Sequence, residues 1–543
     1  MRKILVTSAL VYANGPMHLG HLLEQIQTDI WVRFQRLRGN DCLYLGGDDA
    51  HGTPIMLYAQ KLGITPEQLI HEVHESHLRD AHDFMISFDN YYTTHSDENH
   101  ELVKKIYAAL KQRGNITTRS IEQAYDETAG IFLPDRFIKG RCPNCNAPDQ
   151  YGDNCEQCGS TYTPNELKEP YSTLSGKAPV YRPSQHLFFT LHEYTDFLRT
   201  WSQEHLAPAI AHKLAEWLEN SLKDWDISRD EPYFGFPIPD EEHKYFYVWL
   251  DAPIGYLASF MNFSQQHPEY HFDTYFKEKN EVELYHFIGK DIIYFHTLFW
   301  PALLKGAGLR TPNAVFAHGY LTVNGAKMSK SRGTFILVRD YLKHLNPTYL
   351  RYYFAAKLNS SFDDVDLNFQ EFINKNNSDL VGKIVNIASR SAKFIHEGFG
   401  GKLADQLPDE SLFKTAQDHF KAAAVAFEAR EFNQAVRIIL EIADLANRYI
   451  DEQKPWVLAK TAPQDPRIQE IATEMLNLYR LLMILLKPIV PDLVAKSEEF
   501  LAIPPLVWDD YQTPLLNHTI KPFVPLLSRV DPKAATALLA HEN

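Results

Sequence analysis

The sequence predicts an α/β protein. It should be a doubly wound parallel sheet carrying a cysteine-rich insertion, followed by a C-terminal all-α helix bundle. Three observations carry this. Apolar strand-like runs alternate with helical spacing over residues 1–112 and again over 226–325. A turn-rich stretch within 113–225 holds four of the five cysteines as two CxxC pairs. Beyond Phe369 strand signals vanish and apolar positions recur at helical spacing, as in Leu380, Ile384, Ile387 and Val436, Ile439, Leu440, Ala443.

The 543 residues are 45% hydrophobic and 23% charged, the composition of a water-soluble chain of several domains. No apolar stretch approaches the ~20 residues that a membrane span needs. Met1-Arg2-Lys3 before an apolar run resembles the start of a signal peptide, but the run continues into a strand–turn–helix junction with no separate cleavage region. A cytoplasmic protein is expected. The net charge of −15 opposes non-specific nucleic-acid binding, so a polyanionic partner needs local basic surfaces. The cysteine usage does not suggest a secreted disulfide framework.

Ile4 to Val11 reads as a buried strand and Leu22 to Leu37 as a helix. Between them stands Tyr12-Ala13-Asn14-Gly15-Pro16-Met17-His18-Leu19-Gly20-His21. Asn14-Gly15 makes a turn and Pro16 suits a first helical turn. The start of a helix presents unpaired N–H groups to an anion. His18 and His21 share one face of it, and Gly20 leaves backbone open to a flat ligand such as a purine. The local reading is a nucleoside triphosphate held by a helix start and two imidazoles; the alternative is two surface histidines on an ordinary helix.

Cys42 to Leu45 reads as a short second strand ending in Gly46-Gly47-Asp48-Asp49-Ala50-His51-Gly52-Thr53, where open α/β sheets bind ligands. Asp48 and Asp49 suit an ammonium group or a ribose, or else a helix cap. Thr65-Pro66-Glu67 starts the next helix.

In the insertion, Cys142-Pro143-Asn144-Cys145 is followed nine residues later by Cys155-Glu156-Gln157-Cys158. Four thiolates at this spacing suit one structural, tetrahedral Zn²⁺ with no position left for a catalytic water. Cys42 is expected to be a buried small hydrophobe. Residues 186–225 return to helical spacing at Leu187, Leu191, Tyr194 and Leu198, and Trp225 to Asp230 forms a polar junction.

The second half of the sheet is expected from Tyr245 to Leu250, Leu284 to Ile288 and Val315 to Leu321. The first runs into Asp251-Ala252-Pro253-Ile254-Gly255-Tyr256, where Trp249 and Tyr256 either line an apolar pocket or fill the core. The second ends in Gly289-Lys290-Asp291, ahead of a helix with Ile292, Phe295 and His296. After the third comes the glycine-bounded Lys327-Met328-Ser329-Lys330-Ser331-Arg332, a basic loop suited to closing over polyphosphate. Between Ala326 and Leu358 there are seven lysines and arginines (327, 330, 332, 339, 343, 351, 357) against one acid, Asp340. In an acidic chain this excess marks where phosphates would sit. Asn386 and Arg390 share a helical face, and Lys454-Pro455-Trp456 breaks a helix so that the Trp ring either stacks on a base or fills the core.

His18-Leu19-Gly20-His21 and Lys327-Met328-Ser329-Lys330-Ser331 together resemble the paired HIGH and KMSKS signatures of class I aminoacyl-tRNA synthetases. Asp48 to Thr53, the four-cysteine knuckle, Val248 to Tyr256, Phe287 to Ile292, Asn386 to Arg390 and Lys454 to Trp456 resemble the methionyl-tRNA synthetase family of the bacterial single-knuckle kind. The resemblance covers essentially the whole chain. It implies a Rossmann-like catalytic domain in two halves (1–112 and 226–325), a connective insertion with the knuckle (113–225), a loop and stem-contact region (326–368) and a helical anticodon-binding domain (369–543). It implies ATP-dependent charging of tRNA(Met), initiator and elongator, with L-methionine through a methionyl-adenylate, and Mg²⁺ accompanying ATP. His18, His21, Lys327 and Lys330 would be the catalytic residues, with Gly20, His318 and Gly319 near adenosine. Asp49 would hold the α-ammonium of methionine. Leu10, Tyr12, Trp249, Ala252, Pro253, Tyr256, Ile292 and His296 would surround its side chain. Asn386, Arg390 and Trp456 would read the anticodon.

This chain has Leu10-Val11-Tyr12 where the family often has Leu-Pro-Tyr, and Gly46-Gly47 where a bulkier residue is common. It ends without the C-terminal extension by which many members dimerise, so a monomer is expected. Three other readings compete: another class I synthetase, a non-catalytic tRNA-binding relative, and a small-molecule nucleotidyltransferase sharing the HxGH element.

Overall fold

The computed structural model describes residues 1–134, 137–152, 155, 157–158, 160, 162, 164–219, 222–277, 281–328 and 334–538. Six strands form the central sheet: β1 (Lys3–Ser8), β2 (Val11–Tyr12), β3 (Asp41–Asp49), β4 (Asn90–Thr93), β5 (Val282–Gly289) and β6 (Ala314–His318). Their order is β6-β5-β1-β3-β2, with β4 also on β3, and every pairing is parallel. Lys3 lies opposite Val282 on one side and Asp41 on the other. The chain thus winds outward from β1 in both directions, and the carboxyl ends of β1, β3, β5 and β6 face one crevice.

Helix α1 (Leu19–Leu37) follows the β1–β2 segment, and α2 (Pro66–Asp83) is started by a Thr65–Gln68 capping box. The insertion is built on a long antiparallel pair, Ile116–Asp126 with Val180–Phe189, beside a small sheet of Ile138–Arg141, Gln150–Tyr151 and Lys168–Ser172 that carries the cysteines. Helices α3 (Val248–Gln266) and α4 (Pro347–Lys357) complete the parts that position the cleft. The C-terminal region is helical, including α5 (Asn386–Phe399), α6 (Glu410–Glu428), α7 (Phe432–Gln453), α8 (Pro455–Thr461) and α9 (Pro466–Leu486).

Several elements differ from their sequence expectations. The strand expected at 42–45 runs to Asp49, so both aspartates belong to it. The strand expected from Ile4 to Val11 is split, because the chain leaves the β1 register after Ser8 and re-pairs at Val11 opposite Asp48. Leu187 is not helical; it lies in the strand that pairs across ten positions with Ile116–Asp126. The strand expected from Tyr245 to Leu250 stops at Phe246. Its aromatic composition suits a strand, but the Tyr233 hydroxyl accepts a hydrogen bond from the Val248 N–H at 3.0 Å at the start of α3. The strand expected from Val315 to Leu321 breaks at Gly319, and Leu321–Val323 joins a separate small sheet with Ala326–Lys327 and Val365–Leu367.

Four of the seven cations expected to form a basic patch do not form one. Arg351 is fully buried, Arg339 pairs with Asp80 and Asp83, Lys343 with Asp340 and Lys357 with Glu371. Residues counted together along the chain are separated by folding, and each of these cations meets an acid. Lys330 and Arg332 lie outside the described residues.

One hydrophobic core runs from Ile4 of β1 through Leu22, Ile26 and Trp31 of α1 into the helical region at Ile387, Phe427, Ile439 and Leu482. A cut near Phe369 would therefore open this core rather than separate two independent units. Arg351 bridges it: its guanidinium donates to Asp29 of α1 at 2.6 Å, to Phe84 O, and to Pro488 O and Ile489 O of the helical region. Burial pushes the Asp29 carboxyl up, but Arg33, Arg351 and Ser87 outweigh it and hold it at about 2. Removing one partner of such a buried pair costs ~3–5 kcal/mol. Arg351→Leu is expected to lose about that much stability, read as a fall in the urea midpoint. A loss below ~1 kcal/mol would contradict the bridging role.

Candidate active site

The start of α1 is capped by two histidines. His18 is the N-cap and its Nδ1 accepts the Gly20 N–H at 3.1 Å; the Nδ1 of His21 accepts the His18 N–H at 3.4 Å. The rings stack at 3.7 Å. Each Nδ1 accepts from a backbone donor, so in the neutral ring the proton sits on Nε2. Burial, then the charges of His18 and His77, hold His21 well below the usual imidazole range, which keeps it neutral. The helix terminus thus presents its own N–H groups beside imidazole N–H donors to whatever occupies the cleft.

That cleft has a volume of about 810 Å³ and lies at the carboxyl ends of the strands. His18, Gly20, His21 and Glu24 form one wall, and Gly289, Asp291, His318 and Gly319 another. A side chain at Gly319 would collide with the Asp363 backbone, so that position needs glycine, while one at Gly20 would press on the Met328 methyl and the capping His18 ring. His318 donates from Nδ1 to Gly319 O at 2.7 Å and lies 3.3 Å from Glu24. Burial lowers His318, but Glu24 and the carbonyl outweigh it and raise it above its ordinary value. Lys327 lines the cleft from the short strand Ala326–Lys327, while Lys330 lies outside the described residues.

Asp48 and Asp49 point to opposite sides of β3, as successive strand residues must. Asp48 is committed inward. It accepts from His74 and His77 at 2.7 Å each and from Tyr91 at 2.5 Å. Asp49 lines the cleft, and its buried Oδ1 has no hydrogen-bond partner among the described residues. Burial, then the Asp251 carboxylate, push Asp49 well above the usual carboxylate range. A buried acceptor left open in this way calls for a cationic or donor ligand. Gly46 and Gly47 answer to packing rather than to the cleft: a side chain there would meet the Phe88 ring and the Tyr92 carbonyl across the β3–β4 pair.

Leu10, Tyr12, Trp249 and Ile292 form the apolar end of the cleft. Trp249 stacks flat on Phe295 at 3.7 Å. The other expected pocket residues form a layer behind. Ala252 and Pro253 are buried in α3, and Tyr256 donates to His296 Nε2 at 2.9 Å while His296 Nδ1 donates to Ile292 O. Burial lowers His296 to about 4, so it is a neutral acceptor for that hydroxyl.

Sequence reasoning does not single out Glu24, Arg229, Tyr233 and Tyr247 on the cleft wall. Arg229 lies over the Tyr247 ring at 3.8 Å. The one signal for it in the sequence is the polar run from Trp225 to Asp230, which also fits a loop.

In the insertion the four sulfurs of Cys142, Cys145, Cys155 and Cys158 all lie within 4.8 Å of one another, with Cys142–Cys158 at 3.8 Å and Cys145–Cys155 at 3.5 Å. A tetrahedral ion with ~2.3 Å bonds to sulfur needs edges of ~3.8 Å. The cluster can therefore hold a metal such as zinc, and the small sheets around it have little core of their own. Cys42 is buried and apart from it, as expected. In the helical region the Arg390 guanidinium sits 5.1 Å over the Trp456 ring and reaches Asp451 at 3.1 Å. Asn386 lies one turn from Arg390 on α5.

The model of class I (M) tRNA synthetases matches residues 4–392, and that of the anticodon-binding domain of methionyl-tRNA ligase matches residues 400–521. A methionine–tRNA ligase of Dichelobacter nodosus (strain VCS1703A) is 54% identical over 540 residues, 99% of this chain and 80% of the relative. The fold matches Mycobacterium tuberculosis methionyl-tRNA synthetase bound by methionyl-adenylate with a TM-score of 0.79 at 24% identity, over 97% of this chain and 100% of the other. The apo form of that enzyme matches with a TM-score of 0.74 at 23% identity, over 98% and 99%.

Elemental analysis of the purified chain is expected to find one tightly held divalent ion per chain, absent from Cys145→Ser. A full complement of metal in that variant would refute the four-sulfur site.

Proposed function

This chain belongs to the methionyl-tRNA synthetase family of class I tRNA synthetases, and from that premise we propose how its own residues charge tRNA with methionine. The activity is the ATP-dependent attachment of methionine to tRNA through an adenylate. The observation that carries the assignment of the amino-acid end is Asp49, a carboxylate on the cleft wall whose buried Oδ1 has no hydrogen-bond partner among the described residues.

The α-ammonium of methionine pairs with Asp49. Its side chain lies against Leu10, Tyr12, Trp249 and Ile292, backed by Ala252, Pro253, Tyr256 and His296. The methionine carboxylate is then aimed at the α-phosphate of ATP, which enters as its Mg²⁺ complex. Adenosine rests against Gly20, His318 and Gly319. The Nε2–H groups of His18 and His21 donate to the phosphates, with Lys327 and Lys330 closing over the pyrophosphate as it leaves. No side-chain nucleophile is needed, so positioning and charge stabilisation supply the rate. The terminal adenosine of the tRNA next attacks the adenylate and releases AMP.

The division of labour follows the sequence reading. Residues 1–112 and 226–325 do the chemistry, 113–225 hold a structural Zn²⁺, 326–368 contact the stem and 369–543 read the anticodon. Asn386, Arg390 and Trp456 would meet that anticodon, in initiator and elongator tRNA(Met) alike. The chain is read as a cytoplasmic monomer; a light-scattering mass of a dimer would sink that state.

Amino-acid-dependent ATP–pyrophosphate exchange tests the reading directly, with methionine alone expected to support it. A charge-assisted hydrogen bond is worth ~1.5–3 kcal/mol, so Asp49→Asn should raise the KM for methionine by about 10- to 150-fold with the KM for ATP little changed. A neutral Asp49 carboxyl cannot pair with an ammonium. The wild-type KM for methionine should therefore fall as pH rises through the elevated Asp49 value, and the Asn variant should lose that step. An unchanged KM in the variant would discard the assignment.

Stacking on a base is worth ~1–3 kcal/mol. Trp456→Ala should cut kcat/KM for tRNA charging by about 5- to 150-fold while leaving pyrophosphate exchange intact. Equal loss in both assays would place Trp456 outside anticodon reading.

A further inference from the structure

His77 lies beneath the cleft on the inner face of α2 and takes part in none of the steps above. Its side chain is fully buried. Nδ1 stands 2.7 Å from Asp48 Oδ1 and Nε2 stands 2.9 Å from the carbonyl of Gly15. A carbonyl oxygen only accepts. The Asp48 carboxylate also accepts from His74 and Tyr91, and those contacts favour its ionised form. Both ring nitrogens of His77 therefore carry hydrogen.

We propose that His77 is a buried imidazolium that positions the phosphate-binding turn and sets a fixed positive charge beneath it. Gly15 belongs to the turn that leads into His18, so the Nε2–H of His77 ties that turn to α2. Its charge also lies close enough to His21 to disfavour a second proton there. The surroundings agree. Burial alone would lower His77, but Asp48, the Gly15 carbonyl and Asp80 raise it above its ordinary value. The groups around it are Asp48 on β3, Tyr91 on β4, His74 and Asp80 on α2, and His21 on α1. Asp80 is shared with Arg339. His77 is not on the cleft wall, so it is a positioning residue, and it supplies fixed positive charge behind the phosphates.

The inference rests on the reading of His18 and His21 as phosphate donors. That reading is tested by His21→Ala, whose unaltered pyrophosphate exchange would refute it whatever His77 does. The test of His77 is the double variant His77→Gln/Asp48→Asn in the full chain. The introduced asparagine amide can donate to the carbonyl of the introduced glutamine, and the glutamine amide can still donate to Gly15, so the ties survive without the charge. Expected is a fall of at least about 30-fold in kcat/KM for ATP in the exchange assay, with the KM for methionine within about twofold. Wild-type kcat/KM for ATP would overturn the proposal, as would an equal loss toward methionine. If the double variant does not fold, ¹⁵N NMR of the histidine-labelled wild type decides. Both His77 ring nitrogens should read as protonated at about pH 8, and a neutral tautomer there would overturn it.

Discussion

The cleft depends on how one helix end is satisfied. The first N–H groups of any helix lack intrahelical partners, and Ser, Thr, Asp or Asn usually supply the acceptor. At the start of α1 the acceptors are the Nδ1 atoms of His18 and His21. A carboxylate cap would set a negative charge on the cleft wall. An imidazole accepts on one side and keeps an N–H on the other, so the same ring closes the helix and faces the ligand. The stack at 3.7 Å holds both rings in that pose.

A second constraint is the acidity of the surroundings. Asp48, Asp49, Asp251 and Glu24 all lie at the carboxyl ends of the sheet, and leaving several buried carboxylates unpaired would be costly. Three are matched: Asp48 by His74 and His77, Asp251 by His51 at 2.5 Å, and Glu24 by His318. Asp49 alone of the four meets no side-chain partner among the described residues, and Asp251 makes its ionised form still less favourable. Asp49 is thus the carboxylate of this group that a cationic ligand could still satisfy.

What the sequence made legible was local chemistry. Histidines three apart on a helix start, cysteines in two CxxC pairs and glycines at strand ends each fix a geometry within a few residues. The parallel sheet and the helical C-terminal region could be read for the same reason. What escaped it depended on distance along the chain. Asp48 and Asp49 are neighbours in sequence, but strand alternation sends one into the core and the other into the cleft, and that distinction appears only once β3 is seen to reach Asp49. His77 is 62 residues from the carbonyl it holds. Arg351 counted toward a basic patch and proved to be a buried bridge. The strand expected at Tyr245 to Leu250 failed because a hydroxyl from Tyr233 helps start a helix there, a contact that β propensity cannot register.

The helical region enters the chemistry through α1. Its first turn carries His18 and His21, its middle carries Asp29 on the Arg351 bridge, and its far end meets α6, where Trp31 donates to Glu428 O at 3.2 Å and Gln35 to the Glu428 carboxylate at 2.7 Å. Both contacts hold helical-region backbone or side chain against the helix whose first turn lines the cleft. Because the core is continuous across this junction, a displacement of the helical region cannot be absorbed by sliding without exposing apolar surface. The helical region and the cleft are therefore joined by α1, one helix of 19 residues, rather than by a chain of loops. Within the helical region, Asp451 holds the Arg390 guanidinium over the Trp456 ring, so that pair is preset by an acid on the facing helix.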